Sequence, residues 1–150
     1  MSPFVDSGIW IGAKLAKDDF HTSAKQLLDE ALQGREQLYI STWVMDEVVS
    51  YLTKKKPALA SDILESMQTD AKIRILPVDR DIESTAKSLV EEHSRAGLAL
   101  SMTDWTSVLL LKKHKIGKII TTDAHFQDVK RLPDYRFFEV DKARREDGRL

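Results

Sequence analysis

The sequence contains no cysteine. Disulfides, zinc–thiolate centres and thiol nucleophiles are therefore excluded, and the chain fits a reducing cytoplasm. No apolar run approaches the ~20 residues that a membrane span requires. The opening stretch MSPFVDSGIW has neither a basic region nor an apolar signal core, so it reads as the start of the fold. Surplus charge is also missing: the formal net charge is −1. There is thus no global attraction to nucleic acid, and any such contact must use local basic clusters. Linkers, internal repeats and low-complexity segments are absent as well.

What remains is an ordinary globular composition, with 42% hydrophobic and 31% charged residues in a chain of 150. That length suits one domain with a proper core. Short apolar segments alternate with longer helical patterns. PFVD, QLYIS, KIRILPV, KIIT and YRFFEV read as strands. Between them, Ala24, Leu27, Leu28, Ala31 and Leu32 recur at helical spacing before Gly34, and Ile82, Ala86, Leu89 and Val90 do so before Gly97. Pro57 opens another helix in the position helices favour for proline. DAHFQDVKRL reads as a short helix or turn. The pattern implies an α/β domain, a mostly parallel sheet of four to five strands covered by helices on both faces, over residues 1–140. The charged segment 141–150 reads as a frayed tail. In such a sheet, sites form beyond the carboxyl ends of the strands.

Acids stand at that edge. Asp6 ends the first strand and Asp123 follows the fourth; Asp104 begins the apolar helix LSMTDWTSVLLLKK, and Glu47 lies in the helix after the second strand. Each aspartate has a plain alternative role, capping a helix for ~0.5–2 kcal/mol. Ser101 and Asp104 even have capping-box spacing. Glu47 is harder to explain as a cap. At about 100° per residue, a buried stripe of Val44, Val48 and Tyr51 puts Glu47 at its border and turns Asp46 to solvent. Four carboxylates at one sheet edge repel without a counterion. Oxygen ligands of this kind suit Mg²⁺ or Mn²⁺.

FVDSGIW, TWVMDEVVSYL, LSMTDWTSVLL and IITTDAHF, in this order and spacing, resemble the motifs of PIN-domain ribonucleases, and within them the VapC-type toxins of toxin–antitoxin pairs. The resemblance spans about residues 3–140. It implies a three-layer α/β/α PIN-like fold and a metal site built from Asp6, Glu47, Asp104 and Asp123, with Ser7 and Thr121 or Thr122 as supporting hydroxyls. Asp128 is an alternative to Asp123. It implies Mg²⁺- or Mn²⁺-dependent hydrolysis of RNA, a homodimer, and a small antitoxin whose tail occupies the acidic groove.

A receiver-type signalling domain expects an acidic pair after the first strand, where FVDSG offers one acid; a haloacid-dehalogenase-type phosphatase expects Asp-x-Asp, where Gly8 stands. Two readings stay open beside the toxin: a PIN-domain RNA-processing nuclease outside any toxin pair, and a catalytically silent PIN-fold binding module. Lys14, Lys17, Lys54 to Lys56, Lys112, Lys113, Lys115, Lys130 and Arg131 are all eligible phosphate contacts. Lysines at helix ends also favour the dipole. Of the histidines, His125 stands nearest to a candidate acid, and Trp10, Trp43 and Trp105 read as core.

Overall fold

A computed structural model describes residues 2–147. Five parallel strands form one sheet: β1 (Phe4–Val5), β2 (Leu38–Ser41), β3 (Ile73–Leu76), β4 (Lys118–Thr121) and β5 (Glu139–Lys142), in the order β3-β2-β1-β4-β5. Helices on both faces explain why the central strands are continuously apolar rather than alternating. Phe4, Val5 and Ile119 have no exposed surface at all. The edge strands carry the exposed residues, Arg74 on β3 and Glu139 on β5.

The helices are α1 (Ser7–Lys14), α2 (His21–Gln33), α3 (Thr42–Lys55), α4 (Pro57–Thr69), α5 (Arg80–His93), α6 (Met102–Lys113) and α7 (His125–Val129). Their starts follow side-chain capping chemistry. Ser41 accepts the Val44 amide at 3.0 Å to open α3, and Asp79 accepts the Ile82 amide at 2.9 Å to open α5. Helix α5 buries Ile82, Ala86 and Leu89, one stripe at the helical period, and the 3-10 turn after it ends at Gly97 with φ +86°. Only glycine holds that left-handed position without strain. Helix α6 buries Trp105, Val108, Leu110 and Leu111, which point in several directions, so it lies within the core. Helix α1 packs on α2 and α3, α3 on α4, α5 on α6, and α3 also touches α6.

Two expectations are corrected. The last strand is Glu139–Lys142, not the YRFFEV segment. Pro133 starts a 3-10 turn through Tyr135, and Arg136 donates to the carbonyls of Lys130 and Arg131, so pairing begins only where the Glu139 amide meets the Gly117 carbonyl at 2.9 Å. Nor does the chain fray from Asp141. Asp141 and Lys142 are strand residues, and Ala143 is fully buried, with its amide on the Thr121 carbonyl. Glu146 then accepts the Thr22 amide at 2.6 Å and the Thr22 hydroxyl at 3.1 Å, while the Arg144 amide donates to Ser23. An acid at the start of α2 completes amides that a helix leaves unpaired, which composition alone did not reveal. Residues 148–150 of the expected tail lie outside the described part.

The strand order reverses direction at β1. The chain moves outward from β1 through β2 to β3, then crosses to β4 on the other side. Adjacent connections that leave in opposite directions open a crevice at the carboxyl ends of β1 and β4. The register pairs Val5 with Ile120, so Asp6 and Thr121 follow side by side into that crevice.

Space there is tight. A Cβ placed on Gly8 lies 2.1 Å from Oγ1 of Thr122, because the first turn of α1 runs against the exit of β4. Gly8→Ala is expected to displace one of them and to lower stability by about 1–3 kcal/mol, the usual cost of overpacking. A melting temperature equal to wild type contradicts this account.

Candidate functional site

Asp6 is 4% exposed and stands at the N-cap position of α1. Its side chain does not cap that helix. The carboxylate accepts the Thr121 hydroxyl at 2.7 Å, across the β1–β4 register. Asp6 thus departs from the cap alternative: its charge is aimed into the crevice and held from β4. Burial raises its pKa from 3.8 to about 7; Asp104 and, more weakly, Glu47 add to the rise, against the Thr121 hydrogen bond and the Ser7 amide.

Asp104 takes the capping role foreseen for it. Its amide donates to the Ser101 hydroxyl at 3.1 Å, and its carboxylate accepts the Ser101 amide at 3.2 Å, a reciprocal capping box. Ser101 is therefore the cap, and Asp104 is its third-residue partner. The box consumes one oxygen, Oδ2. The carboxyl is raised above its ordinary value by partial burial first; Asp123 also pushes it up, while the Ser101 contacts and His125 oppose. Behind it Thr106 and Ser107, fully buried, return their hydroxyls to the Thr103 carbonyl, which ties the start of α6 to its own first turn.

Glu47 lies in the second turn of α3, exposed at the mouth of the crevice. Crowding by the walls raises its pKa, with Asp104 and Asp46 contributing, while a hydrogen bond from Ser7 lowers it. The Ser7 hydroxyl is thus directed to Glu47. The stripe that α3 buries is Val44, Val48 and Leu52. Tyr51 is corrected to an exposed residue, at 42%. The stripe runs on by steps of four and so drifts away from Tyr51. Asp46 is exposed, near Ser50 at 3.4 Å. Ser41, fully buried, is the residue the sequence reading missed: its cap sets the start of α3 and so the height of Glu47. The N-cap spacing Ser41–Val44 was the available signal.

Asp123 turns the chain towards α7, whose N-cap position is Ala124. The Asp123 carboxylate accepts the His125 amide at 2.8 Å and lies 2.9 Å from Nδ1 of His125, and its own amide donates to Thr121. Thr121 therefore ties Asp6 and Asp123 together. Thr122 packs on Gly8 instead. Asp128, in α7, pairs with Arg131 just past its end at 3.0 Å, and it is Asp123 that acts on Asp104. Trp10, Trp105 and His93 make structural contacts. Trp10 donates to the Val5 carbonyl at 3.1 Å, and Trp105 stacks on His93 and meets Tyr135 edge-on.

The site is an oxygen-only donor set in which a buried carboxylate stands in the field of two neighbours. As the side chains stand, no three acids or histidines among the described residues are grouped closely enough to hold a metal ion. Asp6, Glu47 and Asp104 meet at the crevice: burial is the main cause of the raised pKa of each, and the Asp104 charge adds to the rise at Asp6 and Glu47. Such a set fits a hard dication that keeps several waters.

A sheet that reverses at β1, with acids gathered over the reversal, defines a class of protein. The PIN-domain family model matches residues 4–132, and the chain belongs to that family. It is 27% identical over 131 residues to a VapC ribonuclease of Archaeoglobus fulgidus, covering 84% of this chain and 80% of that protein. Mycobacterium tuberculosis VapC20, described as a sarcin–ricin loop cleaving toxin, superposes with a TM-score of 0.74 at 23% identity over 85% of this chain and 95% of that one. VapBC2 of Rickettsia felis, bound to promoter DNA, gives 0.64 at 18% identity over 93% and 98%. These structural likenesses establish the fold. No helix among the described residues is long and apolar enough to cross a membrane.

Proposed function

We propose that the protein is a divalent-metal-dependent endoribonuclease and the toxin of a toxin–antitoxin pair, acting in the cytoplasm. The observation that carries the catalytic part is the buried Asp6 carboxylate facing Asp104 and Glu47 at the strand-order reversal. The toxin part is supported by the VapC ribonuclease relative and by structural neighbours that include toxin–antitoxin complexes.

Asp6 and Asp104 are the principal ligands for Mg²⁺ or Mn²⁺, with Glu47 and Asp123 binding directly or through water. The bound cation supplies Lewis acidity and lowers the pKa of its water. The protein's own part is positional. Thr121 fixes one oxygen of Asp6, Ser101 fixes one of Asp104, and Ser7 steadies Glu47. Asp6, its pKa raised to about 7 by burial, would hold a cation only in its ionised form. The partners are RNA, an antitoxin protein and a second copy of the chain. A nuclease outside any toxin pair uses the same chemistry; a silent binding module is disfavoured by the retained acids.

The purified protein is expected to cut a mixed-sequence RNA with Mn²⁺ and to stop when the metal is chelated. Glu47→Gln is expected to lower the rate more than about tenfold, whereas Asp46→Asn leaves it unchanged. Equal losses at the two positions sink the assignment of Glu47. Intact RNA after prolonged incubation of the wild type with either metal sinks the nuclease reading. Co-expression with the product of an adjacent short reading frame is expected to abolish cleavage, and its failure to do so favours the free-standing nuclease.

A further inference from the structure

The last turns of α3 leave a feature that the acidic crevice does not use. Tyr51 is 42% exposed, and only Phe137 among the described large hydrophobics joins it in that class. It lines a cleft of about 450 Å³ with Leu15, Lys17, Asp18, Lys55 and Lys56. Lys55 holds its ammonium 5.9 Å from the centre of the Tyr51 ring. Neither Lys17, Lys55 nor Lys56 pairs with a carboxylate among the described residues. The acid in the wall, Asp18, is committed inward: its Oδ1 accepts the Phe20 amide at 2.9 Å and sits close to Gly12. The cleft is therefore an aromatic face rimmed by unpaired cations.

Its position relative to the acids is fixed by two helices. Glu47 and Tyr51 are four apart on α3 and share a face, about 6 Å apart along the axis. Helix α1 packs beside α3. Ser7, at the start of α1, meets Glu47, and Leu15 and Lys17, just past its end, meet Tyr51 in the cleft. One seam thus leads from the carboxylates to the aromatic and its lysines.

We propose that this cleft is a substrate subsite, in which Tyr51 stacks a base of single-stranded RNA while Lys17, Lys55 and Lys56 hold the phosphates flanking it. The inference rests on the ribonuclease reading and adds where the strand runs beyond the scissile bond. An exposed aromatic serves every base through its π face, and lysines beside it read the backbone without sequence information. A chain with no net positive charge needs such a local cluster to hold a polyanion. The position of the cluster further implies a minimum substrate length: an ester that occupies only the acidic crevice does not reach Tyr51.

Two substrates separate this subsite from the catalytic site. One is a mixed-sequence RNA oligonucleotide; the other is bis(p-nitrophenyl) phosphate, a small diester. Tyr51→Ala is expected to raise KM for the RNA about tenfold with little change in kcat, and Tyr51→Phe to restore it. Lys55→Gln combined with Lys17→Gln is expected to raise KM similarly and to flatten its dependence on salt. Neither change alters hydrolysis of the small diester. A wild type that cuts RNA, with Tyr51→Ala and the lysine pair as efficient at every salt concentration, overturns the subsite and leaves the nuclease intact. Equal losses on both substrates also overturn it, since they place the effect in the acidic crevice. A wild type inactive on both removes the nuclease reading itself. If the alanine variant loses affinity for the antitoxin while its KM for RNA stays unchanged, the cleft is a protein contact and the proposal is wrong.

Discussion

Asp104→Asn is expected to keep the fold and to lower metal-dependent RNA cleavage by more than about 100-fold, beyond the loss typical of groups that merely orient a ligand. The two halves of that expectation come from the two oxygens of one carboxylate. Oδ2 accepts the Ser101 amide at 3.2 Å, and an asparagine side-chain oxygen can accept the same bond. The Asp104 amide keeps the Ser101 hydroxyl, which is the stronger element of the cap. What disappears is the negative charge, for which the helix dipole accounts for only about 0.3–1 kcal/mol. The melting temperature of the metal-free variant should therefore stay within a few degrees of wild type, or rise slightly, since Asp6, Glu47 and Asp123 lose a repelling neighbour. Cleavage at the wild-type rate by a folded Asp104→Asn protein shows that Asp104 is a capping residue and nothing more.

The second large effect concerns stability. Metal-free protein is expected to weaken as the pH rises from about 4 to 7, because Asp6 releases its proton at about 7 in the fold and near 3.8 in the unfolded chain. Across that interval the folded state binds a proton that the unfolded state has lost, so the stability contribution is greatest below the lower value and falls towards the upper one. The interval corresponds to on the order of 4 kcal/mol. Glu47 and Asp104, also raised, act with the same sign. Asp79 and Glu146 are lowered by hydrogen bonds from helix-start amides, so their contributions disappear as the pH falls instead. Asp6→Asn keeps an acceptor for the Thr121 hydroxyl and removes the charge. At pH 8 the metal-free variant should melt on the order of 10 °C above wild type, while Mn²⁺ should stabilise the wild type and leave the variant unmoved. Calorimetry across pH 4–8 decides it: a wild-type melting temperature flat with pH, or a variant that melts lower at pH 8, refutes this account of Asp6.

Stability and chemistry are opposed at this site. A carboxylate excluded from water and set beside two others is a liability for folding, and asparagine would relieve it at each position. Keeping the acids is understandable if a cation compensates them, since anything that binds only the folded state stabilises it by mass action.

Much of the architecture was legible because periodicity reports burial. The strands Leu38–Ser41, Ile73–Leu76 and Lys118–Thr121 sit inside the apolar segments that announced them, and α5 buries the repeat Ile82, Ala86 and Leu89. Errors arose where local pattern and tertiary demand diverged. Tyr51 fits an inward stripe by spacing, but Leu52 fills the core and leaves the ring outside. Phe137 and Phe138 look like a strand, yet a proline-started turn postpones pairing to Glu139. The tail looked frayed because charge was read as solvation, whereas Glu146 completes the start of α2.

The sequence by itself determined an α/β chain without thiols, the residue types at the strand ends, and the Ser101–Asp104 pairing, since these depend on composition and on spacing within one segment. Tertiary structure decided what those residues do together. Strand order placed β4 beside β1, and only that adjacency turns Asp6 from a helix cap into a buried carboxylate held by Thr121, 115 residues away. Likewise, the exposure of Tyr51 follows from which faces the fold covers. A pKa or a cleft is a property of neighbours, and neighbours distant in sequence are set by packing.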